Sequence, residues 1–142
     1  MKRKPWRDER ILFDRMRDEE QDFILLLLQR FAKFPDRISF IDHSMDRLYQ
    51  KYIFEDEVIE TIQKGDIVEL HIVNNSPRLL IRKHRTNQAK DICIVLDILN
   101  GKVITAYTND SNDNHSTLRE ELYNDELDVI TIVKECQSKR RR

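Results

Sequence analysis

The chain has 142 residues, of which 36% are charged and only two are glycines and three are prolines. This composition argues against a disordered or loop-built protein and favours a single domain with its own core. The formal net charge is −1, so no overall field attracts the chain to nucleic acid or to a membrane surface. The charge is nevertheless segregated, because segments 76–90 and 139–142 are basic whereas 109–128 is largely acidic.

The two cysteines, Cys93 and Cys136, are far apart and match no metal-ligand spacing. Cys93 lies in an apolar run, which is typical of a buried thiol in a reducing compartment. The apolar run 23–28 is too short to span a bilayer, and no signal-peptide core adjoins the basic N-terminus. We therefore expect a cytoplasmic protein that needs no metal or other cofactor and does not associate with membranes.

The first predicted element is a helix over 8–34 that Pro35 ends. Its apolar residues recur at helical spacing, namely Leu12, Met16, Phe23, Leu27, Phe31 and Phe34. The run "FILLLL" within it surrounds the helix instead of following one side. Such a segment is either buried on both sides within the domain or shared with a second copy, as a homodimer through the N-terminal helix.

A short strand in "RISFI" is predicted next, then a helix over 43–52 with Asp42 as its cap, and a helix over 55–65 that ends at Gly65. Strands follow in "DIVELHIV", "RLLIRKHR", "DICIVLDIL", "KVITAYT" and "DVITIVKEC". This order predicts an α+β fold, with N-terminal helices packed on a small, mainly antiparallel meander of about four to five strands. We expect a helical extension over 1–37, a core over 38–136 and a basic tail over 137–142.

An Asn-Gly pair at 100–101 predicts a two-residue hairpin turn. That turn would pair Leu96 with Thr105 and Ile94 with Tyr107, and the preceding loop would place Arg82 opposite Ile94. Because side chains alternate between the faces of a sheet, four polar residues are then predicted on one face of three neighbouring strands. These are Arg82, His84, Thr105 and Tyr107.

Two stretches carry a resemblance to a known family. "DHSMDRLYQKYIFEDEVIETIQKGDIVEL" is similar to small bacterial and phage domains in which a His-x-x-x-Arg helix precedes a second helix and a strand. "RLLIRKH…DICIVLDILNGKVITAYTND" is similar to their final hairpin and "GxVITxY" strand. On these motifs, residues of about 38–118 resemble the barnase–EndoU–colicin–RelE group of ribonuclease toxins, which have an α+β fold with a small antiparallel sheet.

The resemblance implies a metal-independent ribonuclease in which a 2′-hydroxyl attacks the neighbouring phosphate. Histidine suits both proton transfers because its ordinary pKa is about 6.5, and arginine suits the phosphorane because it donates parallel hydrogen bonds. The implied catalytic residues are His43, Arg47, Arg82, Thr105 and Tyr107. Other residues are candidates for substrate binding on their chemistry alone: the basic Lys83, His84 and Arg85, and Asn109 and His115 in a polar stretch that departs from the family's pattern. The implied partners are RNA and an antitoxin or another protein.

Less specific interpretations remain open for the same residues. His43 and Arg47 would equally serve in ion pairs on a helix surface, and the basic segment 82–85 would equally protect an exposed strand from pairing with another sheet. His115 lies in a polar stretch that is typical of a turn that caps a following helix. A non-catalytic binding module from a phage or mobile element, engaging a host protein or nucleic acid, is therefore the alternative function. A purely structural protein would leave the polar face unexplained.

Overall fold

The computed structural model describes residues 8–40, 53–85, 89–111 and 122–140. These residues contain three α-helices: α1 (Asp18–Ala32), α2 (Glu55–Lys64) and α3 (Val129–Arg140). They also contain six strands: β1 (Asp8–Leu12), β2 (Ser39–Phe40), β3 (Asp66–Val73), β4 (Ser76–His84), β5 (Lys90–Asp97) and β6 (Lys102–Asp110). The predicted α+β class is confirmed.

All six strands form one sheet in the order β1-β3-β4-β5-β6-β2. Strands β3 to β6 are the predicted antiparallel meander, and β1 joins it antiparallel to β3. The short β2 lies parallel to β6, with Ser39 beside Lys102. The sheet is therefore mixed and has one or two strands more than the predicted meander of four to five. β1, predicted as part of a helix, forms one edge, and β2, the short strand predicted in "RISFI", forms the other.

The two faces of the sheet differ in chemistry. One face carries apolar side chains that alternate along β3 to β6 and belong to the main core, including Leu70, Ile72, Leu79, Ile81, Ile92, Ile94, Leu96 and Ala106. Buried side chains of the three helices belong to the same core, so we call this side of the sheet the helix-covered face. The other, which we call the polar face, carries Glu69, His71, Arg82, His84, Asp91, Cys93, Thr105 and Tyr107.

The predicted helix over 8–34 is wrong in its first third. Residues Asp8–Leu12 form β1, in which the side chain of Ile11 is buried in the core. The side chains of the residues on either side of Ile11 point to the other face of the sheet. Helix α1 begins only after Arg17, whose backbone N–H donates to Glu20 Oε1 at 3.0 Å. Within "FILLLL", Ile24, Leu27 and Leu28 are buried, whereas Leu25 and Leu26 remain 41% and 65% exposed.

The predicted strand over 128–136 is also wrong, because Val129–Arg140 is helix α3. Val129, Ile132, Val133 and Cys136 are all buried, and their spacing places them on one side of a helix. The Asp128 carboxylate accepts a hydrogen bond from the N–H of Thr131 at 3.2 Å and caps the helix start. The pKa of Asp128 is lowered by this bond. Packing and the cap thus override the strand preference of the β-branched run.

The turn between β5 and β6 is longer than the predicted two-residue loop. Asp97 Oδ1 accepts hydrogen bonds from the N–H groups of Leu99 and Asn100, at 2.8 and 3.2 Å. Gly101 completes the turn with φ of +73°, a conformation that favours glycine. As a result, the predicted partners shift by one residue over most of the hairpin, where Val95 pairs with Thr105 and Cys93 with Tyr107. The shift is two residues at Leu96, which pairs with Val103 after an irregularity between Val95 and Leu96.

The two remaining predicted helices differ in outcome. The helix predicted over 55–65 is present as α2, which ends at Gly65. The helix predicted over 43–52 lies outside the described residues. Among the described residues, no helix combines the length and apolar character needed to cross a bilayer.

Candidate functional site

The polar face aligns its side chains in rows across neighbouring strands. One row contains Asp66, Arg82, Cys93 and Tyr107, and the next contains His84, Asp91 and Asn109. Thr105 lies in the row on the other side of Arg82 and Tyr107, opposite Val95. The predicted clustering of Arg82, His84, Thr105 and Tyr107 on one face is therefore confirmed. The predicted strand registers were nevertheless wrong, because the β4–β5 pairing and the β5–β6 pairing are each displaced by one residue. The two displacements cancel, so the predicted alignment of β4 with β6 is correct.

Asp91 is the centre of this arrangement. Its Oδ2 accepts a hydrogen bond from Arg82 Nε at 2.6 Å, and its Oδ1 lies 2.9 Å from His84 Nδ1. Ser111 Oγ donates to the same Oδ1 at 2.9 Å. Partial burial acts to raise the pKa of Asp91, but the bonds from His84, Arg82 and Ser111 outweigh it and hold this pKa below its usual range. Asp91 is therefore a carboxylate at neutral pH.

The Asp91 carboxylate fixes the orientation of the His84 ring. A carboxylate only accepts hydrogen bonds, so the contact assigns the ring proton to Nδ1 and leaves Nε2 as the proton acceptor. The His84 side chain is 61% exposed, whereas the Asp91 side chain is 13% exposed. This pairing of a buried carboxylate with an accessible imidazole is the arrangement that general-base catalysis uses.

Arg82 holds the strand ends together beside this pair. Its Nη2 donates to the backbone carbonyl of Asp110 at 2.9 Å, in addition to the bond from Nε to Asp91. The Arg82 side chain is 14% exposed. The guanidinium thus places a permanent positive charge next to the His84 ring.

Tyr107 lies across β5 from Arg82 and beside Cys93. Burial raises the pKa of Tyr107 to about 12, with Cys93 and Glu69 contributing to the same effect. Its hydroxyl consequently stays protonated at neutral pH and can donate a hydrogen bond. Glu69, 3% exposed, accepts a bond from Tyr123 Oη at 2.9 Å and lies 3.6 Å from Arg10.

A cleft of about 400 Å³ opens at the end of the polar face where β3 begins and β4 ends. Its wall is formed by Leu12, Phe13, Asp14, Asp66, Ile67, Val68, Arg82, His84 and Asp91. Three carboxylates therefore line the cleft beside one guanidinium and one imidazole. The apolar part of the wall, around Phe13, offers a surface against which a flat ring can pack.

Lys83 and Arg85 point to the opposite side of β4. Arg85 donates two hydrogen bonds to Glu57 of α2, at 2.9 and 2.7 Å, and Lys83 Nζ lies 3.3 Å from Glu60 of the same helix. The bond from Arg85 is the main cause that lowers the pKa of Glu57. The predicted substrate-binding residues are therefore divided: His84 and Asn109 lie on the polar face, whereas Lys83 and Arg85 tie β4 to α2.

His43 and Arg47, which the resemblance assigns to catalysis, and His115, a candidate for substrate binding, lie outside the described residues. Conversely, the sequence interpretation missed Asp91, Ser111 and the cleft residues Asp14 and Asp66. The position of Asp91 in the sequence could have indicated its role, because Asp91 begins the apolar strand that follows the loop after His84. A pairing of His84 with Asp91, one residue from the pairing that was predicted, would have identified it.

Within the described ranges, no group of three or more His, Cys, Asp or Glu side chains is arranged to hold a metal ion. Comparison with protein-family models, with curated proteins and with solved structures gives no match. The fold and site therefore define an α+β protein with a polar sheet face and a histidine–carboxylate pair at its cleft.

Proposed function

We propose that this protein is a metal-independent ribonuclease that cleaves RNA by attack of a 2′-hydroxyl on the adjacent phosphate. The observation that supports it is the oriented pair of His84 and Asp91 in the wall of the cleft. In the proposed reaction His84 Nε2 accepts the 2′-hydroxyl proton, and Asp91 stabilises the imidazolium that forms. The attacking oxygen bonds to phosphorus and the bond to the 5′-oxygen breaks, which leaves a 2′,3′-cyclic phosphate.

Arg82 and Tyr107 have supporting roles in this proposal. The Arg82 guanidinium contributes positive charge as the phosphorane becomes more negative, and the protonated Tyr107 hydroxyl is a hydrogen-bond donor on the same face. The 5′-oxygen must receive a proton from a second group. The resemblance assigns such a role to His43, which therefore stays a prediction to be tested by substitution.

The test is cleavage of single-stranded RNA by the purified full chain in EDTA, beside the same oligonucleotide with 2′-deoxyribose throughout. We expect RNA products with 2′,3′-cyclic phosphate ends and an intact deoxy strand. His84→Gln is expected to reduce the rate about 10²- to 10⁴-fold, the usual contribution of a general base. Products with 3′-hydroxyl ends, or equal cleavage of the deoxy strand, would contradict the mechanism.

A second candidate function is a non-catalytic module that binds a basic protein segment. Asp14, Asp66 and Asp91 favour it, because three carboxylates in one cleft attract cationic side chains and repel phosphate. This candidate predicts that a fluorescent Lys/Arg-rich peptide binds the wild type and that Asp14→Asn with Asp66→Asn weakens binding at least tenfold. It also predicts that RNA stays intact under the conditions above. RNA cleavage that survives both asparagine substitutions would favour the ribonuclease.

A further inference from the structure

An exposed stripe runs along the side of α1 that faces away from the sheet. Its members share one side of the helix opposite the buried residues Ile24, Leu28 and Phe31, and they are all exposed: Asp18, Glu19, Asp22, Leu25, Leu26, Gln29, Arg30 and Lys33. Leu26 is 65% exposed and Leu25 is 41% exposed, at the middle of the helix. Adjacent exposed leucines within a charged surface are the kind of feature that marks a contact site.

The charges of this stripe, which we call the α1 stripe, are self-complementary about Leu26. Asp22 lies four residues before Leu26 and Arg30 lies four residues after it. Glu19 lies seven residues before and Lys33 seven after. Two copies of α1 placed antiparallel, with Leu26 against Leu26, therefore bring Asp22 opposite Arg30 and Glu19 opposite Lys33 at the same time.

We propose that α1 is an interface between two copies of this chain, related by a two-fold axis that passes near Leu26. A two-fold interface uses the same patch on both subunits, so each acid–base pair occurs twice. The helix dipole also favours acids early and bases late in a helix, but it gives no reason for exposed leucines between them.

The charged side chains of the α1 stripe are available for such a contact. Among the described residues, none forms an ion pair with Asp22, Arg30 or Lys33. Glu19 lies 3.4 Å from Arg17, but both side chains are 62% exposed. Such a surface pair contributes little energy and does not prevent a new partner from binding.

The dimer would be weak and would leave the cleft accessible. A helix of 15 residues is about 22 Å long, and one helix pair buries less than the roughly 1,200 Å² at the lower end of stable interfaces. We expect a dissociation constant on the order of 10 µM. Because α1 packs on the helix-covered face, the two polar faces would point outward. Such a dimer would form whether or not the protein cleaves RNA.

The decisive experiment exchanges charges between the two copies. Asp22→Arg places two arginines at each pair, and Arg30→Asp places two aspartates there, so each variant alone should be monomeric by sedimentation velocity. Mixing the two single variants gives a heterodimer with both opposite-charge pairs restored. A chain that carries Asp22→Arg and Arg30→Asp together restores both pairs in its own homodimer. We expect the wild type, the mixture and the double variant to dimerise, and each single variant to bind itself at least tenfold more weakly.

Matched controls separate this interface from general surface effects. Leu26→Gln should dissociate the dimer, whereas Leu122→Gln, which replaces a 45% exposed leucine elsewhere, should not. Lys134→Asp on α3 should leave the dimer intact, and thermal unfolding should show that every variant is folded. A wild type that stays monomeric throughout the concentration series would overturn the proposal. So would a dimer that persists unchanged in both single-charge variants.

Discussion

Glu20 of α1 and Val129 of α3 are joined by a hydrogen bond, because the buried N–H of Val129 donates to Glu20 Oε2 at 2.8 Å across 109 residues of chain. The other oxygen, Oε1, accepts from the N–H of Arg17 at the start of α1. One carboxylate thus completes the N-terminal ends of two helices. The side chain is 3% exposed, so no water can easily replace it.

Replacing Glu20 should therefore destabilise the fold without touching the polar face. Glu20→Ala leaves the buried N–H of Val129 without its acceptor, and we expect a loss of about 2–3 kcal/mol in the free energy of unfolding. Glu19→Ala, at the neighbouring exposed position, should change it by less than about 0.5 kcal/mol. Urea unfolding measures both. Equal effects of the two substitutions would show that Glu20 does not link the helices.

The Glu20 carboxylate should also make the stability of the fold sensitive to acid. Burial acts to raise the pKa of Glu20, but the bonds from Arg17 and Val129 outweigh it, so the folded-state pKa lies below the ordinary 4.5. A carboxyl whose pKa is lowered by folding stabilises the protein fully above its unfolded pKa and loses this contribution as the pH falls through the folded value. Stability should thus decline below about pH 4.5.

The matched variant for this prediction is Glu20→Gln, which cannot ionise. We expect its free energy of unfolding to fall less steeply than that of the wild type below pH 4.5, the ordinary pKa of the carboxyl. Glu57 and Asp91 also have lowered pKa values and remain in both proteins. Some acid sensitivity should therefore persist in the variant. Parallel curves for the two proteins would contradict the role of Glu20.

The Arg85–Glu57 pair gives a prediction that separates stability from activity. Arg85 is 10% exposed and binds Glu57 through two N–H groups. We expect Arg85→Met to cost about 1–3 kcal/mol in unfolding free energy, yet to leave RNA cleavage per folded molecule unchanged. A double-mutant cycle with Glu57→Gln measures the coupling. If cleavage falls while stability holds, Arg85 belongs to the substrate site after all.

Gly101 should tolerate no side chain. Its φ is +73°, and an added Cβ would lie 2.6 Å from Phe31 Cδ1 and 2.8 Å from the carbonyl oxygen of Arg37. Gly101→Ala is expected to lower the unfolding free energy by about 2–4 kcal/mol, since strain and overpacking act together. Lys102→Ala, at the adjacent exposed position, should stay within about 0.5 kcal/mol. Thermal unfolding compares the two, and a stable alanine variant would mean that α1 can move away from the turn.

The extent to which the sequence predicts this fold depends on how local each signal is. Helix α2 and strands β3 to β6 were predictable, because acids in the first turn, Gly65 at the end and alternating apolar residues are encoded within each segment. β1 was not, since "DERIL" becomes a strand only by pairing with β3. α3 was missed because its β-branched residues favour a strand, although the cap at Asp128 was visible.

In the candidate site, too, some features follow from local sequence and others depend on pairing between distant segments. The shared face of Arg82, His84, Thr105 and Tyr107 was predictable from alternation alone. The pairing of His84 with Asp91 was not, because it depends on register across a loop, and a shift of one residue exchanges Asp91 for Ile92. The separation of Lys83 and Arg85 from the site also follows from alternation. The consecutive basic residues of 82–85 hide this separation, because neighbours in the sequence lie on opposite faces of the strand.

We propose that His84, oriented by Asp91, accepts a proton during RNA cleavage. His71 provides a matched control on the same face, because its Nε2 lies 2.6 Å from Asp8 Oδ1 and its partner is also a carboxylate. The measurement is the rate of RNA cleavage in EDTA by His84→Gln and by His71→Gln, each compared with the wild type. We expect a loss of about 10²-fold or more for His84→Gln and a nearly unchanged rate for His71→Gln. Equal rates for both variants and the wild type would contradict it.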